Sequence, residues 1–413
     1  MTKKTPFSIK RRTFIAGSGA AALAAGVTGF PAVLRAQAPD PVRIGLVHPV
    51  TGFIAFSGTQ CRAGAELAIA DINAAGGIQS LGGAQLEAML ADSQGRPELG
   101  ASETARLIEG GAVGIVAGFS SAISLATTQE AAKTNTPHVV DVGVADDIVN
   151  RGLTNTFRFA PGYGAVAQSA VARLDEINKA ANSPAKTAVI IHEESLFGTG
   201  TANLMTEELP KIGIEVLSVI RHANPTRDFT NIALQLRSLQ PDLIIPANYY
   251  NEYVLLARTL RQQRIEAKGI YSVLGGAASN VQFVQEFPEA AEFIMDCNHW
   301  YDPNSEVALQ RRAAAEAKNL FYTYEVFCAY NAVAFLADAI ERAGSTEKEA
   351  VIEALNGSTW DNHGMPYGPT EIVNGQNQGA QAVNTQVQSG RIEVVLPAEF
   401  ASAEAVFPMP SAG

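Results

Sequence analysis

Between Val42 and Ile78 the chain runs from a short apolar stretch through a small-residue loop into an amphipathic segment. Ile44 to Val47 has no polar break, the pattern of a strand buried on both faces of a parallel sheet. Pro49 to Gly58 reads as a loop of small and turn-forming residues. Ala65, Ala68, Ile69 and Ile72 then recur at helical spacing, and Gly76–Gly77 ends the helix. Strand, loop and helix in this order open an α/β sheet, in which ligands sit outside the carboxyl ends of the strands. The loop offers the hydroxyls of Thr51, Ser57 and Thr59, the rings of Phe53 and Phe56, and the free N–H groups of a helix start.

The same alternation continues. Strands are expected at Leu86 to Ala91, Val113 to Ala117, Pro137 to Val140 and Thr156 to Phe159, with helices at Pro97 to Glu109 and from Ala122 to Lys133. A second cycle follows the Pro161-Gly162 break. Its helices are Tyr163 to Ala181, one ending at Leu209, Phe229 to Leu239, and one ending at Gln262. Its strands are Thr187 to Ile191, Ile214 to Ile220, Asp242 to Pro246, Ile270 to Val273 and Glu292 to Asn298. Such alternation implies parallel sheets with right-handed crossovers. The chain therefore reads as two doubly wound, Rossmann-like α/β units.

The last third differs. Ser305 to Asn319, Tyr324 to Ala343 and Thr346 to Leu355 read as helices with almost no strand between them. Turns rich in Gly, Pro and Asn follow, then strands Val383 to Gln388 and Arg391 to Val395 around a hairpin turn. Helices without a sheet need one to pack on. We expect them to return to the first lobe and the final hairpin to the second, which gives three crossovers and a cleft between facing strand ends. The lobes are then 41–160 with 303–362, and 161–302 with 363–413.

Composition narrows the functional class. At 413 residues, one compact core is too small a container and two domains are expected. The first 38 residues hold six of the 30 basic side chains and no acid; without them 24 basic face 41 acidic residues, a charge of −17. A chain that acidic is a poor partner for nucleic acid or an anionic membrane. The same 38 residues read as an export signal: Lys10-Arg11-Arg12-Thr13-Phe14-Ile15 is a twin-arginine pattern, a Gly/Ala-rich apolar region follows, and Ala36-Gln37-Ala38 offers cleavage after Ala36 or Ala38. The apolar region is broken by glycines and Pro31, unlike a permanent membrane span. Gly17-Ser18-Gly19-Ala20-Ala21-Ala22 matches a dinucleotide fingerprint but follows no strand, so it is rejected.

Cys61, Cys297 and Cys328 lack CxxC spacing. Three small buried apolar residues is the preferred reading, with Cys297–Cys328 the pair to check should a disulfide form. His192-Glu193-Glu194 suggests a metal or acid–base cluster, but no second histidine follows at ligand spacing, so no metal is expected. No G-x-S-x-G, Walker A or EF-hand pattern occurs after residue 38.

Taken in order, IGLVHPVTG with AGAELAIADINAAGGI, GFSSA, NTFRFAPG, HEESLFGTG and NYYNEYVLLARTLRQQ resemble the branched-chain amino acid (leucine/isoleucine/valine) type of periplasmic binding proteins, the substrate-binding components of ABC transporters. The resemblance spans residues 42 to 400. It implies the type I periplasmic binding protein fold, closing by hinge motion on a small-molecule solute that is handed to a membrane permease. It further implies a periplasmic location, a monomer, no nucleic acid partner, no cofactor and no enzyme activity. A sensor subunit for a membrane receptor, or an enzyme on this scaffold, are the alternatives.

By the same resemblance, Phe56 and Ser57 lie near the ligand, Ser120 and Ser121 meet a ligand carboxylate, and Val144 and Asp146 stand beside it. Phe197 caps the ligand, Tyr249 and Tyr250 flank it, and Gly276 sits in the second-lobe loop Leu274-Gly275-Gly276-Ala277. Amino-acid-binding members carry in that loop an acid that holds the ligand ammonium; this chain has none there. A negative Asp146 would also repel a carboxylate. Each position has a plainer reading: Ser120-Ser121 as a helix cap, Phe197, Tyr249 and Tyr250 as core packing, Asp146-Asp147 as solvated helix-start residues.

Overall fold

The structure is a computed structural model and describes residues 39–410. The proposed export signal lies outside the described residues. The first lobe opens with β1 (Val42–His48), α1 (Ala55–Ala74), β2 (Leu86–Asp92), α2 (Pro97–Glu109), β3 (Gly114–Ala117), α3 (Ser121–Ala132), β4 (His138–Val140) and β5 (Thr156–Arg158). The second contains α4 (Tyr163–Ala180), β6 (Thr187–Glu193), α5 (Leu196–Glu208), β7 (Glu215–His222), α6 (Thr230–Leu239), β8 (Leu243–Ala247), α7 (Tyr250–Gln262) and β9 (Gly269–Val273). Short helices α8 (Val281–Glu286) and α9 (Pro288–Ala291) then lead to β10 (Met295–Asn298). The remainder forms α10 (Glu306–Ala317), α11 (Tyr324–Ala343), α12 (Lys348–Asn356) and strands β11 (Ile372–Val373), β12 (Gln376–Asn377), β13 (Val383–Gln388) and β14 (Arg391–Leu396).

The strands form two seven-stranded sheets of matching design, in the orders β11-β12-β5-β4-β3-β1-β2 and β14-β13-β10-β9-β8-β6-β7. The first five strands of each lobe run parallel, and each sheet is finished by a late hairpin on the same edge. This is the expected pair of doubly wound units. Central strands are buried on both faces, as their unbroken apolar runs require: β3 and β8 have no exposed position. Helix α11 returns to the first lobe and presses on α1 so closely that a Cβ added to Gly64 would lie 2.1 Å from the Val326 carbonyl oxygen. Only glycine allows that approach.

The third crossover lies later than composition suggested. Gln376–Asn377 joins β5 and Ile372–Val373 joins Gln376–Asn377 in the first sheet, so the chain passes to the second lobe after 377, not at 363. Asn374 and Gly375 both have positive φ, 50° and 77°, the two-residue turn that an Asn-Gly pair favours in a hairpin. Strands of two residues carry no period, so the loop reading prevailed over the turn signal. The opening loop is also shorter than expected: α1 begins at Ala55, placing Phe56 and Ser57 on a helix. All three cysteines are buried free thiols, the preferred reading, and Cys297 is not joined to Cys328.

Candidate functional site

The carboxyl ends of both sets of parallel strands meet across a cavity that is partly open to solvent. The first lobe supplies Phe119 and Ser121 after β3, Val142 and Val144 after β4, and Tyr324 at the start of α11. The second supplies Phe197 at the start of α5, Asn248 and Tyr249 after β8, Leu274 and Gly276 after β9, Asn298 at the end of β10 and His299 after it. Four long helices, α3, α5, α7 and α11, therefore begin at the cavity wall. The start of α3 has no side-chain cap, whereas Ser195 and Glu193 accept from the start of α5 and Thr323 from that of α11.

Tyr249 stands at the centre of the wall. Its ring lies 5.4 Å from Phe197, 5.7 Å from Phe119 and 6.3 Å from Phe53, centroid to centroid, so rings from both lobes meet on it. Its hydroxyl shares a 3.3 Å hydrogen bond with Ser195 Oγ, and burial pushes the phenol well above its ordinary pKa. Ser195 in turn caps α5 by accepting from the Phe197 N–H. Ser121 Oγ accepts the N–H groups of Val144 (3.3 Å) and Ala145 (3.1 Å), locking the loops after β3 and β4 together.

Five of the ten residues expected at the ligand line this cavity: Ser121, Val144, Phe197, Tyr249 and Gly276. The other five do not. Ser120 is the residue before α3, but its side chain makes no capping bond. Ser57 is turned to α11, where its hydroxyl donates to Glu325 Oε1 at 2.9 Å. Phe56 stacks on Tyr250 across the lobes, 3.7 Å between centroids and 16° apart in plane. Asp146 accepts from Arg158 Nη2 at 3.3 Å and from the Gly164 N–H at 3.2 Å, so its charge is directed to the crossover and not to the cavity. The repulsion expected from Asp146 is thus answered by Arg158.

The Phe56–Tyr250 stack is a direct contact between the two lobes. Such a pair contributes about 0.5–1.5 kcal/mol beyond its buried area. Phe56→Ala is expected to shift the free protein from closed toward open by about two- to tenfold. A larger radius of gyration in solution scattering would show this; an unchanged one would assign closure to other contacts.

Residues that sequence reasoning missed include Phe119, Asn248, Asn298, His299 and Tyr324. All lie at or within two residues of a strand's carboxyl end or begin a helix, the positional signal that could have found them. Asn298 donates to Asp296 Oδ2 (2.9 Å) and to the Gly275 carbonyl (3.3 Å), and Asp296 also accepts from the Gly275 N–H (3.0 Å) and Ser279 Oγ (2.7 Å). Burial pushes the Asp296 carboxyl up to about 6 despite these bonds. His299 is 1% exposed and neither ring nitrogen has a hydrogen-bond partner; the Asn248 side-chain oxygen is likewise without one. Among the described residues no group of three potential metal ligands forms. Glu193 of the candidate metal cluster instead accepts from Ser195, Gly198 and Asn224 and so builds the start of α5.

Glu325 lies behind Tyr324. Burial drives its carboxyl up to about 7, partly offset by its own N–H, Thr323 and Ser57. An unfolded glutamate titrates near ~4.3, so the folded protein holds this proton more tightly over the interval between. The associated stability is complete below that lower value and is lost as pH rises through about 7. Glu325→Gln is neutral throughout. Its melting temperature relative to the parent is therefore expected to climb between pH ~4.5 and ~7.5. A difference that stays flat over that range would contradict the burial argument.

The family model described as periplasmic binding protein matches residues 41–390. The Leu/Ile/Val-binding protein BraC3 of Rhizobium johnstonii is 30% identical over 319 residues, 76% of this chain and 83% of that protein. The branched-chain amino acid transporter substrate-binding protein LivJ of Streptococcus pneumoniae, solved with isoleucine, superposes with a TM-score of 0.75 at 22% identity, over 89% of this chain and 100% of that one. A solute-binding protein of an ABC transporter from R. palustris, solved with benzoate, gives 0.75 at 17% identity, over 89% of this chain and 97% of that one.

Proposed function

The chain belongs to the family of periplasmic binding proteins, and on that premise we propose that it captures a small organic solute between its lobes and delivers it to the membrane permease of an ABC importer. The solute is an amino acid or a related small acid or amide. The observation that carries this reading is the cavity at the facing strand ends, walled by both lobes and retaining buried polar atoms without partners. A ligand that pairs them gains specificity, because a competitor lacking the matching group leaves them unsatisfied at ~1–3 kcal/mol each.

In this reading the protein works as an exported monomer sent by the twin-arginine route, and the solute leaves unaltered. The Ser121 hydroxyl accepts two backbone N–H groups and is not set against a base, which supports capture over catalysis. Binding across both lobes stabilises the closed form by its greater affinity for it. A thermal-shift screen of amino acids, aliphatic and aromatic acids and amides is the direct test, since a ligand raises the melting temperature by mass action. A deletion strain should then lose uptake of the hit. Unimpaired uptake, or conversion of the hit to a product by the purified protein, would overturn the reading.

A further inference from the structure

The charge of the cavity selects more sharply than its shape. No residue that lines it carries a formal charge, apart from the ionisable imidazole of His299. Burial, with the nearby Arg158 guanidinium adding to it, pushes that imidazole down to about 3, so it is neutral at physiological pH. Helix α3 starts at the wall with no side-chain cap and no acid in its first turn, so its positive dipole end faces the cavity, whereas the starts of α5, α7 and α11 are met by Glu193, Glu252 and Glu325. An anion is stabilised at the start of α3, whereas an ammonium group finds no carboxylate among the lining residues.

His299 supplies an independent observation. It is almost fully enclosed, lines the cavity, and offers one ring N–H donor and one bare nitrogen acceptor, neither of which is paired within the protein. Buried polar groups left unpaired in a native fold call for a partner. Around it the wall is apolar and aromatic: Val142, Phe197, Tyr249 and Leu274.

We infer that the ligand is a small monocarboxylic acid with an apolar body and no ammonium group, and that His299 selects it by donating its ring N–H to an acceptor on the acid. A branched or aromatic acid of the deaminated type, such as a 2-oxo acid, has this chemistry. The inference rests on the interlobe capture proposed above and narrows its solute.

The test compares matched pairs by calorimetry on the full mature chain: leucine against 4-methylpentanoate and 4-methyl-2-oxopentanoate, and phenylalanine against phenylacetate, phenylpyruvate and benzoate. At least one amine-free acid is expected to bind 100-fold or more tightly than its amino acid. His299→Leu is expected to weaken that acid at least tenfold, and His299→Gln, which restores a donor, to recover part of the loss. The melting temperature of each free variant checks that the fold is kept. An amino acid that binds as well as its deaminated partner, or an affinity indifferent to His299→Leu, overturns the inference and leaves solute capture standing. Absence of binding across both series, with a solute of another class giving the thermal shift, also overturns it without touching capture.

Discussion

Alanine in place of Arg158 is expected to lower the free energy of unfolding by ~3–5 kcal/mol, the range for breaking a buried charged network. The guanidinium is 2% exposed and holds four groups at once. Nε donates to Gln376 Oε1 at 2.6 Å, Nη1 to the carbonyls of Ala145 (2.8 Å) and Gly143 (3.5 Å), and Nη2 to Asp146 at 3.3 Å. These partners come from the loop after β4 and from β12. Burial has lowered the pKa of the guanidinium to about 10, so it remains charged at neutral pH. Its removal leaves buried acceptors without donors, and each such loss is costly. Arg158→Lys keeps the charge but not the planar fork, so it should recover less than half of the loss. Urea unfolding midpoints check both, and an alanine variant within 1 kcal/mol of the parent would remove Arg158 from this role (about a fivefold change in equilibrium).

A methyl group at Gly276 is expected to weaken ligand binding by about 10- to 100-fold, the equivalent of ~1–3 kcal/mol of overpacking. A Cβ there would lie 2.6 Å from the Asn248 carbonyl oxygen, 2.7 Å from the Tyr249 carbonyl carbon and 2.7 Å from the Tyr250 nitrogen. All three are backbone atoms of the turn between β8 and α7, so no rotamer change can relieve the clash. The Gly276 N–H also donates to that carbonyl at 3.0 Å, which pins the two loops at their closest approach. Because Asn248, Tyr249 and Gly276 all line the cavity, separating the loops moves its second-lobe wall. Calorimetry on Gly276→Ala with the hit from the solute screen checks this. Unchanged affinity would mean that the turn gives way without disturbing the pocket.

The architecture was legible because parallel strands buried on both faces leave apolar runs that cannot be mistaken for surface segments. β1, β6 and β8 were read within two residues of their observed bounds. Loops at the carboxyl ends of such strands are located with them, and Phe197 after β6 and Tyr249 after β8 both line the cavity. What a one-dimensional pattern could not supply was the direction of side chains within each loop. Tyr249 and Tyr250 are neighbours, yet one faces the cavity and the other the Phe56 stack, because α7 begins between them. Partners distant in sequence were equally hidden: Arg158 and Gln376 are 218 residues apart, and Ser57 and Glu325 are 268 apart. His299 escaped notice since a lone histidine after a strand has no period or motif to mark it.

The enclosed thiols have a practical consequence. Cys61, Cys297 and Cys328 are each at most 1% exposed, and burial raises the pKa of all three. Maleimide reagents attack the thiolate of an accessible cysteine, so the native molecule should be inert to them. A single cysteine introduced on the rim of each lobe could thus carry a fluorophore without first deleting the natural ones, and opening of the jaws could be followed by energy transfer in the otherwise unaltered chain.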